Sequence, residues 1–162
     1  MNKQKERQQR GKEFENELRA SWGLLKGVWR FRIPDGGGGT RPGDELILLD
    51  DVNILGEHKR TASDRFQLSY LRTDQVQGLL AFDMVIKRNL GLVFVSFLND
   101  NVDHAYCFRL ITALQFMHET GRKYITLAEF QNQELPCVEL PRLPGEARVY
   151  DMKGVQICYK SL

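Results

Sequence analysis

Apolar residues recur along the chain with two periods, and each period marks a different kind of element. In GKEFENELRASWGLL, Phe14, Leu18, Trp22 and Leu25 fall three or four residues apart, which predicts an amphipathic helix over residues 11–25 with Gly27 beyond its end. VWRFRI alternates instead and predicts a strand. PDGGGGTRPG, with four consecutive glycines between two prolines, predicts a loop. ELILL and ILGEHKR predict two strands joined by a tight polar turn at residues 50–53. Thr73 is expected to cap a helix that runs to about residue 89, with Val76, Leu79, Leu80, Val85 and Ile86 turned inward. LGLVFVSF is apolar almost throughout and predicts a central strand buried on both faces. HAYCFRL predicts a further strand, and ITALQFMHET a helix stopped by Gly121. Beyond it, Pro136, Pro141 and Pro144 predict irregular structure with a short strand or two. This order of elements predicts a mixed-sheet α/β domain, with Trp22 and Trp29 in its core.

Composition narrows the class. At 162 residues, with 42% hydrophobic and 27% charged, the chain suits one globular domain. The longest uncharged apolar run, around residues 90–98, is too short to span a bilayer. The N-terminus is basic, but no apolar segment follows it, which speaks against a secretory signal. Cys107, Cys137 and Cys158 are odd in number and lack metal-ligand spacing, so buried or half-buried thiols in a reduced, cytoplasmic setting are expected. Net charge is only +2, yet residues 1–12 hold five cations against one acid. Residues 1–10 are therefore expected to form a flexible basic tail ahead of a single domain over residues 11–162.

The stretch that carries chemistry is Pro42-Gly43-Asp44 followed by Gly56-Glu57-His58-Lys59. If Leu49 pairs with Ile54 across the turn, Asp44 lies opposite Lys59 and Leu46 opposite Glu57. Alternation along a strand then puts Asp44, Glu57 and Lys59 on one face and the His58 side chain on the other. The prediction depends on the loop, because a shift of one residue would reverse the parity. Two clustered carboxylates repel each other and call for a cation. A hard divalent ion suits them, since Mg²⁺ typically takes one or two carboxylates and leaves room for substrate phosphate. A neighbouring lysine can orient water or offset charge growing on a phosphoryl group. The plainer alternative is a surface hairpin with a salt bridge. GGGGTRPG is not a P-loop, because no Lys-Ser/Thr closes it. Asp50 and Asp51 read as turn residues.

The spacing of PGD and EHK resembles the D-(spacer)-ExK core of the PD-(D/E)xK nuclease superfamily. Gly11 with Glu15, Gln75 early in the following helix, LGLVFVSF, and GRKYITL at residues 121–127 are similar to features of the RecU-type and archaeal Holliday junction resolvases. The likeness runs over residues 10–130 and departs in two places. RecU-type proteins carry a longer insertion where this chain has PDGGGGTRPG, and Tyr124 replaces the serine of their GRKSI segment. The resemblance implies a restriction-endonuclease-like α/β fold, a central mixed β-sheet flanked by helices. It implies a Mg²⁺- or Mn²⁺-dependent endonuclease that hydrolyses phosphodiesters in branched DNA, four-way junctions above all. Glu15, Asp44, Glu57 and the His58 carbonyl would hold the metal. Lys59 would position water or stabilise the phosphoryl group, and Gln75 would hold the water or Lys59. Lys12, Arg41 and Arg60 are the cations expected on DNA. A homodimer is implied too, since a junction needs two matched nicks. Tyr70, Leu71 and residues 105–108 suit either its interface or the core. Alternatives on the same fold are a restriction or repair nuclease acting on duplex or flap DNA, and a non-catalytic DNA-binding protein.

Overall fold

The computed structural model describes residues 2–35 and 41–162. The first helix, α1 (Lys3–Trp22), is longer than predicted and includes the basic segment expected as a flexible tail. Asn2 caps it by accepting from the Gln4 N–H at 3.1 Å, and the Lys, Gln, Glu and Arg that follow are good helix formers. Phe14, Leu18 and Trp22, one stripe at helical spacing, are buried.

Six strands form one sheet: β1 (Trp29–Arg32), β2 (Glu45–Leu48), β3 (Asn53–Thr61), β5 (Asn89–Asn99), β6 (Val102–Arg109) and β8 (Val138–Glu139), in the spatial order β1-β2-β3-β5-β6-β8. β3 and β5 are parallel, joined through α2 (Thr73–Val85), and the other neighbours are antiparallel. The central mixed sheet flanked by helices is therefore present. β5 is buried from Asn89 to Phe97, as its unbroken apolar run predicts. Its side chains alternate between two cores: Leu92 and Phe94 pack with α1, and Val93, Val95 and Phe97 with Leu79 of α2. α3 (Leu110–Thr120) ends at Gly121, whose φ of 68° is the left-handed cap the sequence predicts.

Several elements differ from expectation. α2 stops at Val85, because Asn89 begins β5 and its side-chain amide donates to the Phe82 carbonyl at 3.0 Å. Its buried face is Gln75, Leu79 and Asp83, so Val85 and Ile86 are exposed. Trp29 lies on the edge strand β1, 53% exposed and stacked beside Phe31, outside the core. Of the residues that suited either an interface or the core, Leu71 and residues 105–108 are buried in the core, and Tyr70 is half-buried. All three cysteines are free, with Cys107 buried, Cys137 intermediate and Cys158 exposed. β4 (Arg65–Gln67) and β7 (Tyr124–Thr126) form a separate two-stranded ribbon, followed by α4 (Leu127–Gln131); α5 (Lys153–Cys158) lies near the C-terminus. The loop predicted after β1 is described only at its ends, since residues 36–40 lie outside the described residues. Among the described residues, no helix is long and apolar enough to cross a membrane.

Candidate active site

The register of β2 and β3 decides which side chains meet. Leu48 pairs with Asn53 and Glu45 with Gly56, two positions away from the predicted pairing. The shift is even, so the parity survives and one more step along the register puts Asp44 opposite Glu57. Asp44 sits just before β2. Its N–H donates to the Gly56 carbonyl at 2.8 Å, and its own carbonyl accepts from Ile33 at 2.9 Å. Close packing by α2 holds this corner, because Gly78 lies against Pro42. A Cβ on Gly78 would stand 2.5 Å from Pro42 Cβ and 2.8 Å from its carbonyl oxygen. Gly78→Ala is therefore expected to displace the Pro42–Asp44 corner. It should cost about 1–3 kcal/mol in urea unfolding, with no loss of helix by circular dichroism.

Glu57 is 1% exposed at the floor of the site. Its Oε1 takes the Lys59 ammonium at 2.6 Å and the Gln75 side-chain amide at 2.5 Å. Gln75 is itself fixed, because its Oε1 accepts from the Arg72 N–H at 2.9 Å. Glu57 Oε2 is buried without a hydrogen-bond partner. Burial, and after it the charge of Asp44, pushes the Glu57 carboxyl up to about 7 against the pull of Lys59. Asp44 Oδ2 accepts from the His58 N–H at 2.7 Å, while Oδ1 is ion-paired with Arg41.

The His58 imidazole takes the opposite face, as predicted, and packs edge-on against Phe14 and Phe94. Its Nε2 lies 3.4 Å from Glu45 Oε2, and its Nδ1 3.9 Å from Asp44 Oδ2. Burial would lower the pKa of His58, but Glu45 and Asp44 outweigh it and raise it. Glu45 went unnoticed in the sequence. It is 2% exposed, ion-paired with Arg30, and lies behind the site. A strand-initial glutamate reads as a solvent-facing residue, and only the pairing of Glu45 with Gly56 places it beside His58.

Glu15, Asp44, Glu57, Lys59 and Gln75, chosen from four separate segments, line one cleft of about 1560 Å³. Arg7, Arg10 and Lys12 of α1 lie along it, with Arg32 and Arg72. Glu15 is held near Arg32, whose Nε is 3.5 Å from its Oε2. Gln75 contacts Glu57 rather than Lys59. Lys12 is exposed on the cleft. Arg41 lines it too, but its guanidinium is spent on Asp35 and Asp44. Arg60, expected on DNA, borders the cleft, but its side chain is buried in an ion-pair network. Its side chain is 1% exposed, and it is bound to Glu17 at 2.5 and 3.1 Å and to Ser96 Oγ at 2.9 Å.

Among the described residues, no three of His, Cys, Asp and Glu form a ready-made metal cage. A pair of hard carboxylates still suits Mg²⁺, which keeps water and phosphate as its other ligands. The unpartnered Glu57 Oε2, beside Asp44, fits such an ion. Asp44 and Glu57 would hold it, with the His58 carbonyl.

No family model matches the chain, and no curated protein matches it. Among solved structures it is similar to Hjc of Archaeoglobus fulgidus, a Holliday junction resolvase from an archaeal hyperthermophile. The identity is 17% and the TM-score 0.49, over 63% of this chain and 78% of that one.

Proposed function

We propose that this chain is a divalent-metal-dependent endodeoxyribonuclease of the PD-(D/E)xK kind, acting on four-way junctions. The observation that carries this reading is the juxtaposition of Asp44 and Glu57, with Lys59 Nζ 2.6 Å from Glu57, in a cleft bordered by Arg7, Arg10 and Lys12. A pair of carboxylates facing a polyanion is unfavourable unless a cation joins them, and a lysine beside them suits a growing negative charge. Mg²⁺ or Mn²⁺ would supply Lewis acidity and an activated water. Gln75 fixes Glu57 Oε1 and leaves Oε2 free as a ligand. Lys59 orients the attacking water or stabilises the phosphoryl oxygens. The water oxygen forms a bond to phosphorus as the bond to the leaving oxygen breaks. The basic face of α1 holds the backbone, which makes binding steeply salt-dependent.

The junction preference rests on the likeness of residues 121–127 to the resolvases. In this segment the Arg65 and Arg122 guanidinium groups both lie over the Tyr124 ring, 4.6 and 4.9 Å from its centroid. Two matched nicks need two sites, so the active form in this reading is a two-fold homodimer.

The test is a panel of labelled four-way, flap, duplex and single-stranded DNA at one salt concentration with Mg²⁺. Preferential, paired nicking of the four-way substrate is expected, with light scattering at twice the 18.8 kDa chain mass. Equal cutting of plain duplex would replace the junction assignment with a restriction or repair role. Binding without cutting on every substrate would replace the enzyme with a DNA-binding protein.

A further inference from the structure

The Asp44 carboxylate already has a cation on it. Arg41 ion-pairs through Nη2 with Asp44 Oδ1 and through Nη1 with Asp35 Oδ1, while its Nε donates to the Gly43 carbonyl at 3.0 Å. The other Asp44 oxygen is taken by the His58 N–H. Both oxygens of the carboxylate therefore have donors, and one donor bears a full positive charge. Glu57, opposite Asp44 on β3 and lining the same cleft, keeps Oε2 without a partner. The two carboxylates are thus unequally prepared for an incoming ion. Glu57 has an open oxygen, and Asp44 has a guanidinium that must be displaced or tolerated.

A divalent ion between Asp44 and Glu57 would stand within a few ångström of that guanidinium, and like charges at such range in a part-buried cleft repel strongly. The Arg41 side chain is only 12% exposed, but its second partner, Asp35, is 76% exposed and lies toward solvent. The guanidinium can therefore leave Asp44 outward, along the cleft that Arg10 and Lys12 also line. A DNA phosphate there offers it a two-pronged partner in exchange, since the planar guanidinium matches phosphate as well as it matches a carboxylate.

We propose that Arg41 is the resident counter-cation of this site, which lowers its affinity for divalent ions until a nucleic-acid phosphate draws the guanidinium off Asp44. The inference rests on the metal-site reading above and adds a coupling to it. Phosphate binding raises ion affinity, and by reciprocity the ion raises affinity for DNA.

The experiment is calorimetric titration of the full chain with Mn²⁺ in the absence of DNA, comparing wild type, Arg41→Gln, Arg41→Lys and Asp44→Asn, each checked for fold by circular dichroism. Arg41→Gln is expected to bind Mn²⁺ about tenfold more tightly than wild type. Arg41→Lys keeps a charge but cannot span Asp35 and Asp44 at once, so it should tighten binding by less. Asp44→Asn should lose the Mn²⁺ heat. In EDTA, Arg41→Gln should bind a four-way junction more weakly and reduce the salt slope by about one. Unchanged or weaker Mn²⁺ binding in both Arg41 variants, with Asp44→Asn still inactive as a binder, would overturn the counter-cation and leave the metal site standing. No Mn²⁺ heat in any protein would overturn both. Unchanged junction affinity in Arg41→Gln would overturn the exchange with phosphate.

Discussion

Lys59→Ala is expected to lose about 10²–10³-fold in the rate of junction cleavage, the scale of removing one charge-stabilising donor from a reaction centre. The Lys59 side chain is 23% exposed and lines the open cleft, so its truncation leaves no closed cavity and should keep the fold intact. Its ammonium is paired with Glu57 Oε1, which also keeps the Gln75 amide. Glu57 therefore remains positioned in the variant. Junction binding in EDTA should weaken only by the loss of one cation, a change of about one in the salt slope. The measurement is single-turnover cleavage with saturating enzyme, which reads the chemical step rather than binding. A Lys59→Ala enzyme cutting within threefold of wild type would remove Lys59 from the mechanism.

Glu17→Ala is expected to cost about 3–5 kcal/mol of stability, because it strands a buried guanidinium. Glu17 gathers Arg60, Arg142 at 3.3 Å, Arg148 at 3.2 Å and the Tyr150 hydroxyl at 3.1 Å. Arg60 is the member that cannot reach water, and it is stacked on Phe14 as well. The network ties α1, which carries Glu15 and the basic face, to β3 and to the C-terminal segment. At this chain length the loss corresponds to about 6–20 °C in Tm. Arg148→Ala, at a half-exposed position, should move stability by about 1 kcal/mol or less. Burial alone would raise the Glu17 pKa, but the Arg60 hydrogen bond and the three guanidinium charges hold it below the usual carboxylate range. Its stabilisation is therefore complete above the unfolded-state value near 4.5 and is lost as pH falls through the lower folded-state value. Glu17→Gln should accordingly show a shallower acid destabilisation than wild type, measured by urea unfolding between pH 6 and 3.

The contrast between Glu57 and Arg60 shows what was legible in the sequence. Both lie on one strand within four residues. The facing of Glu57 followed from alternation alone, and it tolerated a register error because the error was even. The fate of Arg60 depended on Glu17, 43 residues earlier on another element, so its charge read as a DNA contact. Asp83 repeats the lesson: it is buried on α2 because Arg109, from β6, reaches it at 2.7 Å. β4 and β7 pair across almost sixty residues with three residues each, too short for any period to emerge. α4 did leave a local trace, since Thr126 and Glu129 cap its first turn reciprocally. The Arg41 pairing with Asp44 is local too, three residues apart, but sequence alone cannot tell a paired arginine from a free one.

The central claim is that Asp44 and Glu57 serve a divalent ion in phosphodiester hydrolysis. It is tested most directly by incubating one labelled four-way junction with wild type and with Asp44→Asn, each with Mg²⁺ and with EDTA. Wild type should cut only with Mg²⁺, and Asp44→Asn should bind the junction in a gel shift and not cut it. Cutting by wild type in EDTA, or by Asp44→Asn at the wild-type rate, would contradict the account.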